Sequence, residues 1–202
     1  MKRVLLGLLG LIGILVVGVL GAASMKPDQI HVERSQTMAA APADVYPHLV
    51  DLKKYAVWNP FGAYDPAMKM EFSDPSAGVG ARYDWSGNDQ VGVGSLTITA
   101  VEPNLSVTER LVFVSPWESQ ADVVMRIEPV ADGSTVIWSY DQPATFTTKL
   151  MMLVMDMDAM MGPVFATGLQ SLQALAEADA KARIEAEAAA AAAAVPVTPP
   201  TP

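Results

Sequence analysis

Phe146 to Glu177, FTTKLMMLVMDMDAMMGPVFATGLQSLQALAE, decides the fold. Leu150, Val154, Met157, Met161, Phe165, Leu169, Leu172 and Ala176 recur at steps of three and four. That period marks one buried face of a helix. Roughly 30 residues of helix reach about 45 Å, enough to lie across a small domain. Gly162-Pro163 sits inside the run and predicts a kink there, because proline removes a backbone donor and crowds the preceding turn. Back to Ile30, the chain reads as short strands and turns. A sheet covered by one long helix is an α+β arrangement, with a cavity expected between the layers.

The strands follow from alternation. Ile30 to Met38 is a first strand, and Ala41-Pro42-Ala43-Asp44 then opens a helix with an apolar face at Val45, Leu49 and Leu52. Trp58-Asn59-Pro60-Phe61 ends this helical stretch, with Trp58 and Phe61 expected beneath the loop. Met68 to Phe72 is a short strand. Ala81 to Ser86 puts Ala81, Tyr83 and Trp85 on one face and Arg82 and Asp84 on the other. Val91 to Val101 returns after a turn at Gly87-Asn88-Asp89. Ser106 to Val114 aligns Val107, Glu109, Leu111 and Phe113. Ala121 to Ile127 aligns Ala121, Val123, Met125 and Ile127. Laying those two rows together places Glu109 beside Met125 or Ile127. Ser134 to Tyr140 is the last strand, aligning Val136, Trp138 and Tyr140. A meander of hairpins gives an antiparallel sheet.

Lys2 and Arg3 precede a charge-free apolar run, Val4 to Ala23. About twenty helical residues span roughly 30 Å, the thickness of a bilayer core. The basic pair stays cytoplasmic, which places the domain on the extracytoplasmic, periplasmic side. A cleaved signal peptide is the competing reading, with Gly21 and Ala23 at the cleavage positions, but its apolar core is usually shorter than this run. If cleaved, the domain is secreted to the periplasm. Three segments result: 1–24, the anchor or signal; 30–178, the folded domain; and 179–202, a tail. In the tail, Ala178 to Ala194 is an Ala-rich helical extension laced by charge pairs four residues apart, without an apolar face to dock. Val195 to Pro202 is a Pro-rich end.

Net charge is −9 and the pI about 4.6, which disfavours nucleic-acid binding, where Lys and Arg must neutralise phosphates. There is no cysteine, so thiolate zinc sites and disulfides are excluded. His31 and His48 are the only histidines, which disfavours a histidine-built metal centre, and no cofactor motif is present. Gly78 and Gly80 precede no helix and read as turn glycines rather than a phosphate cradle. His48, without partners in the sequence, reads as structural. Asp156 and Asp158 are two apart and share no helical face, so they form no catalytic or metal-binding pair.

Glu109 is the ionisable residue with most to say. Its strand phase points it inward among Val107, Leu111 and Phe113, where a carboxyl would have a raised pKa and would hold a polar head or act as an acid. A register break, or pairing with Arg110 or Arg126 near a rim, is the plainer reading. Met151, Met152, Met155, Met157, Met160 and Met161 surround the long helix. Such residues fill irregular core space, and some of them would line a plastic pocket or a membrane-facing opening. The candidate ligand-binding set is Trp58, Tyr83, Trp85, Glu109, Met125, Trp138 and Met155. No catalytic constellation is assigned.

The pieces IHVERSQTMAAAPADVYPHLVDLKKYAVWNPF, GVGARYDWSGNDQVGVGSLTI, DGSTVIWSY and KLMMLVMDMDAMMGPVFATGLQSLQ, in that order, resemble the SRPBCC (START/Bet v 1-like) superfamily over Ile30 to Glu177. Within it they are most similar to the bacterial polyketide cyclase/dehydrase-like branch, which often carries an N-terminal membrane segment. The resemblance implies a helix-grip fold: a seven-stranded antiparallel sheet wrapped around a C-terminal helix, two small helices after strand one, and a deep apolar cavity. It does not imply a reaction, because folds host many functions. The leading expectation is membrane-tethered binding of a hydrophobic small molecule or lipid. The alternatives are a cyclase or dehydratase using Glu109 with a tyrosine such as Tyr83, and an envelope protein–protein interaction module.

Overall fold

Alternating apolar residues become strands because one face of most of them is buried; the short edge strand over Lys69–Phe72 is the exception. A computed structural model describes residues 2–193. Its strands are β1 (Gln29–Met38), β2 (Lys69–Phe72), β3 (Arg82–Ser86), β4 (Val93–Glu102), β5 (Ser106–Ser115), β6 (Ser119–Val130) and β7 (Gly133–Pro143). All neighbours are antiparallel, in the order β1-β7-β6-β5-β4-β3-β2. The strands from β2 to β7 form a meander, and β1 closes on its last strand. Two short helices, α2 (Pro42–Val50) and α3 (Leu52–Trp58), follow β1, and a 3-10 helix covers Pro60–Tyr64. The expected α+β helix grip is thus present. At the N-terminus α1 (Lys2–Ser24) is one helix, and Leu6–Ser24 is long and apolar enough to cross a membrane. The Pro-rich tail, Val195 to Pro202, lies outside the described residues.

The covering helix departs from expectation. It is two helices, α4 (Phe146–Met151) and α5 (Met157–Ala193). The interruption falls at Met152–Asp156, and α5 runs through Gly162-Pro163 without a break. The cause is local. Asp156 accepts a hydrogen bond from the Ala159 N–H at 3.0 Å and so starts α5. A side-chain oxygen in that place satisfies an orphan donor and favours a new helix start. Apolar periodicity runs straight through the break and hides it.

Beyond Glu177 the structure corrects a second expectation. The turn from Asp179 to Arg183 docks on α2. His48 Nε2 lies 2.9 Å from Asp179 Oδ2, Arg183 binds Asp44 with contacts of 2.8 and 3.0 Å, and Ala180 is buried between them. The charge pairs Lys181–Glu185 and Arg183–Glu187 do form along the helix. Solvated helix begins only after this clamp.

Register fixes the inner face of the sheet. One row runs Val32, Tyr140, Val123, Glu109, Ile98 from β1 to β4. Glu109 therefore pairs with Val123, not with Met125 or Ile127 as the simple hairpin suggested. Met125 pairs with Val107 and Trp138 in the next row. The antiparallel order also gives the sheet two distinct ends. The proximal end receives α1 and carries the start of β1, the end of β7 and the β3–β4 and β5–β6 hairpin tips. The distal end carries the β4–β5 and β6–β7 turns.

Candidate functional site

Three helical pieces cover the inner face. α5 lies along β1, α2 sits over β5 and β6, and α3 packs against α2 and α5. On α3, Leu52, Tyr55 and Trp58 are three apart and all buried. Trp58 donates from Nε1 to the His48 carbonyl at 3.0 Å. Its ring meets Tyr55 and Trp138 edge-on, with centroids 4.9 and 5.3 Å apart. Trp138 in turn stacks flat on Phe165 of α5 at 4.3 Å. Such contacts close the interior between β7 and α5 with aromatic rings. They require Gly168, where an added Cβ would lie 2.8 Å from Pro60 and 2.9 Å from the Trp138 ring.

A second aromatic group sits at the other side of the sheet. Tyr83 and Trp85 are buried with centroids 5.6 Å apart, Phe72 stacks on Tyr83 at 5.1 Å, and Phe113 meets Trp85 edge-on at 5.4 Å. Trp85 Nε1 donates to the Val91 carbonyl at 2.9 Å.

Glu109 lies between the two groups. It is fully buried, and neither carboxylate oxygen has a hydrogen-bond partner among the described residues. The nearest expected partners are committed elsewhere: Arg110 pairs with Asp122 at 2.7 Å and Arg126 with Glu33 at 3.5 Å. The neighbouring register irregularity, between Ile98 and Ala100 on β4, leaves Glu109 facing inward. The register irregularity does not turn Glu109 outward, and neither arginine pairs with it. Burial pushes the Glu109 carboxyl up to about 8, so it is mostly neutral at pH 7. Tyr55 is pushed well above its ordinary value, by burial first and then by the neighbouring Glu109 and Tyr83. Burial alone raises Tyr83 and Tyr140 to about 12. The Tyr140 hydroxyl is already bonded to Gln142. Trp138 Nε1 is likewise buried without a partner among the described residues. An unmade hydrogen bond on a buried group costs about 1–3 kcal/mol, so leaving both groups unpaired is expensive.

All of the candidate residues except Met155 therefore meet on the inner face or on α3 above it. Met155 lies in the α4–α5 break at the proximal end. There it lines an open cleft of about 670 Å³ with Lys26, Ile30, His31 and Met152. A second open cleft, of about 480 Å³, lies at the distal end beside Met38, Val130 and Gln173. The deep enclosed cavity expected between sheet and helix is neither of these. Coverage is nonetheless uneven. Distal inner-face residues Val107, Ile127 and Val136 are buried, whereas Leu111 and Phe113 near the proximal end are only half-buried. The sequence reading missed Tyr55. Its spacing with Leu52 and Trp58 was the available signal, because steps of three place all of them on one side of a helix.

Comparison with known proteins agrees with this geometry. No curated protein matches the chain significantly. Among solved structures, one protein from Mesorhizobium loti superposes with a TM-score of 0.52 at 17% identity, over 72% of this chain and 96% of that one. Another, from Chromobacterium violaceum, gives 0.53 at 15% identity over 75% and 99%. The di-domain ARO/CYC from the steffimycin biosynthetic pathway gives 0.52 at 14% identity, over 78% of this chain and 52% of that larger one. Likeness at these identities establishes the fold alone. The family model described as polyketide cyclase/dehydrase and lipid transport matches residues 29–177, the whole span from β1 to the docked part of α5. The chain belongs to that family.

Proposed function

We propose that this protein is a membrane-tethered, extracytoplasmic binder of a hydrophobic small molecule or lipid. The observation that carries the reading is Glu109, a carboxyl with no partner among the described residues, set among apolar and aromatic side chains of the core. A neutral carboxylic acid offers one donor and one acceptor, and Trp138 Nε1 offers a further donor. A guest with an apolar body and one carbonyl, ester or hydroxyl would satisfy them. The apolar body would be desolvated between the inner face and the covering helices, and the polar group would fix its direction. Access runs past Leu111, Phe113 and the Met152–Asp156 break, where the cover is thinnest. Trp58, Tyr83, Trp85, Met125 and Trp138 form the walls, and Met155 stands at the opening.

Native mass spectrometry of the full chain released from its own membranes tests this. A discrete bound mass is expected, lost in Glu109→Ala and in Met155→Glu. A clean unliganded mass, with no binding from a panel of lipids, overturns it.

An enzymatic reading has one observation in its favour. A carboxyl that titrates near pH 8 suits acid–base work at physiological pH. It would act as a cyclase or dehydratase acid with Tyr83 or Tyr55. However, no hydrogen bond joins Glu109 to either tyrosine among the described residues. Turnover of a bound polyketide-like guest that vanishes in Glu109→Gln while the guest still binds would favour catalysis over carriage.

A further inference from the structure

α1 is joined to the sheet by a short connector. It ends at Ser24 and β1 begins at Gln29. The four intervening residues reach about 14 Å at full extension. They are not slack. The Asp28 carbonyl accepts from the Ala144 N–H at 2.8 Å, and Lys149 of α4 pairs with the Asp28 carboxylate. α4 packs beside α1, whose Ala23 is buried. Whatever surface α1 emerges from, the proximal end of the sheet is held close to it.

That end is apolar in an unusual way. Trp117, at the β5–β6 tip, is 76% exposed, while Trp58, Trp85 and Trp138 are buried. Val114 on the same hairpin, Phe146 and Met151 of α4, and Val154 in the break are exposed as well. The β5–β6 tip lies two to three strands from β1, roughly 10–15 Å at the usual strand spacing. Among the described residues, the distal end exposes Val79, Leu105, Val130 and, past the clamp on α5, Ile184, but no aromatic ring. Tryptophan is enriched where one end of a ring is apolar and the other wet, as at a bilayer interface. Lys26 in the connector and acidic Glu118 and Asp156 share this end, so charge attraction does not decide the matter. The apolar groups do.

We propose that the proximal end, through Trp117, Val114, Phe146 and Val154, rests in the interfacial layer of the bilayer that α1 crosses. The cleft over Ile30 and Met155 then opens to lipid rather than to bulk water. This rests on the membrane-tethered reading above and adds where a lipid-like guest would arrive from.

The test is fluorescence of the full chain reconstituted in phosphatidylcholine vesicles with brominated acyl chains. α1 contains no tryptophan, and Trp117 is the exposed one, so bromine quenching reports on the proximal end. Loss of more than half of the Trp117 emission is expected, unchanged by high salt. The loss should vanish in Trp117→Tyr and return when Val154→Trp is added to that variant. Co-flotation with the vesicles reads the tether separately. A protein that floats but is quenched by aqueous iodide and not by bromolipid overturns the inference and leaves the tether standing. A protein that does not float overturns both.

Discussion

The two halves of the covering segment share one apolar period and meet different fates. From Phe165 to Arg183 the helix is held by buried Phe165, Leu169, Leu172, Ala176 and Ala180 and clamped to α2 through His48 and Asp44. From Phe146 to Met161 no residue is fully buried, Val154 and Met160 are exposed, and the ion pairs that tie this half to the rest of the fold are Arg34 to Asp158 at 2.7 Å and Lys149 to Asp28. Periodicity is a statement about one face of a helix, not about what that face touches. In the second half it touches the sheet. In the first half Met152, Met157 and Met161 reach the core only in part, and Val154 is exposed at the proximal end, where we place the guest's path and the bilayer.

The largest expected contrast comes from truncation. Phe165→Ala removes the ring stacked on Trp138 and should destabilise the fold by about 3–5 kcal/mol, the usual cost of a buried aromatic. Val154→Ala lies in the break at 85% exposure and should stay within about 0.5 kcal/mol. Denaturant unfolding of the full chain measures both. Similar costs would mean that the two halves are held alike, and the comparison would collapse.

Glu109 tests whether the deep side is as dry as the packing implies. Its folded pKa is raised from 4.5 to about 8, so the neutral form is the one the fold favours. Below pH 4.5 both folded and unfolded chains keep the proton, and the group is neutral in its effect. Between 4.5 and about 8 the unfolded chain gives the proton up and the folded chain retains it. Stability therefore falls as pH rises, by up to about 1.36 kcal/mol per pH unit, and levels off above the folded pKa. Glu109→Gln removes that slope. It should unfold on the order of a few kcal/mol later than the native chain at pH 8.5 and nearly with it at pH 4. Parallel pH profiles for the two proteins would place Glu109 in contact with water or a cation instead.

Much of this was legible beforehand, for physical reasons. Strand phase put Val107, Glu109 and Leu111 on one face, and that reading survives because a half-buried strand has a strict period of two. The order of pieces carried the fold. What was not legible depended on contacts between distant residues. Register set Glu109 against Val123 rather than Met125, through pairing that no single strand encodes. The break at Met152–Asp156 came from one capping carboxylate, Asp156, whose effect the apolar period masked. Docking of Asp179 and Arg183 depended on His48 and Asp44 of α2, more than a hundred residues earlier. Glu109's lack of a partner was invisible for the same reason: Arg110 and Arg126 looked available until their own partners were placed.

The finest comparison uses one substitution in both halves. At Gly168 a new Cβ meets the Pro60 ring and Trp138, neither of which can move far, and Gly168→Ala should cost about 1–3 kcal/mol of global stability by overpacking. At Gly162 the new Cβ meets the Arg34 guanidinium at 1.8 Å, the far end of a flexible side chain. Arg34 can swing away, and doing so releases Asp158. Gly162→Ala should therefore leave the global unfolding midpoint almost unchanged while amide exchange at Met157 to Met161 accelerates, since opening there no longer breaks that tie. If access to the interior runs through this end, the same variant should load and release a bound guest faster than the native chain, and Gly168→Ala should not. Slower loading in Gly162→Ala would place the route elsewhere, and the looseness of the first half would then be a matter of membrane contact alone.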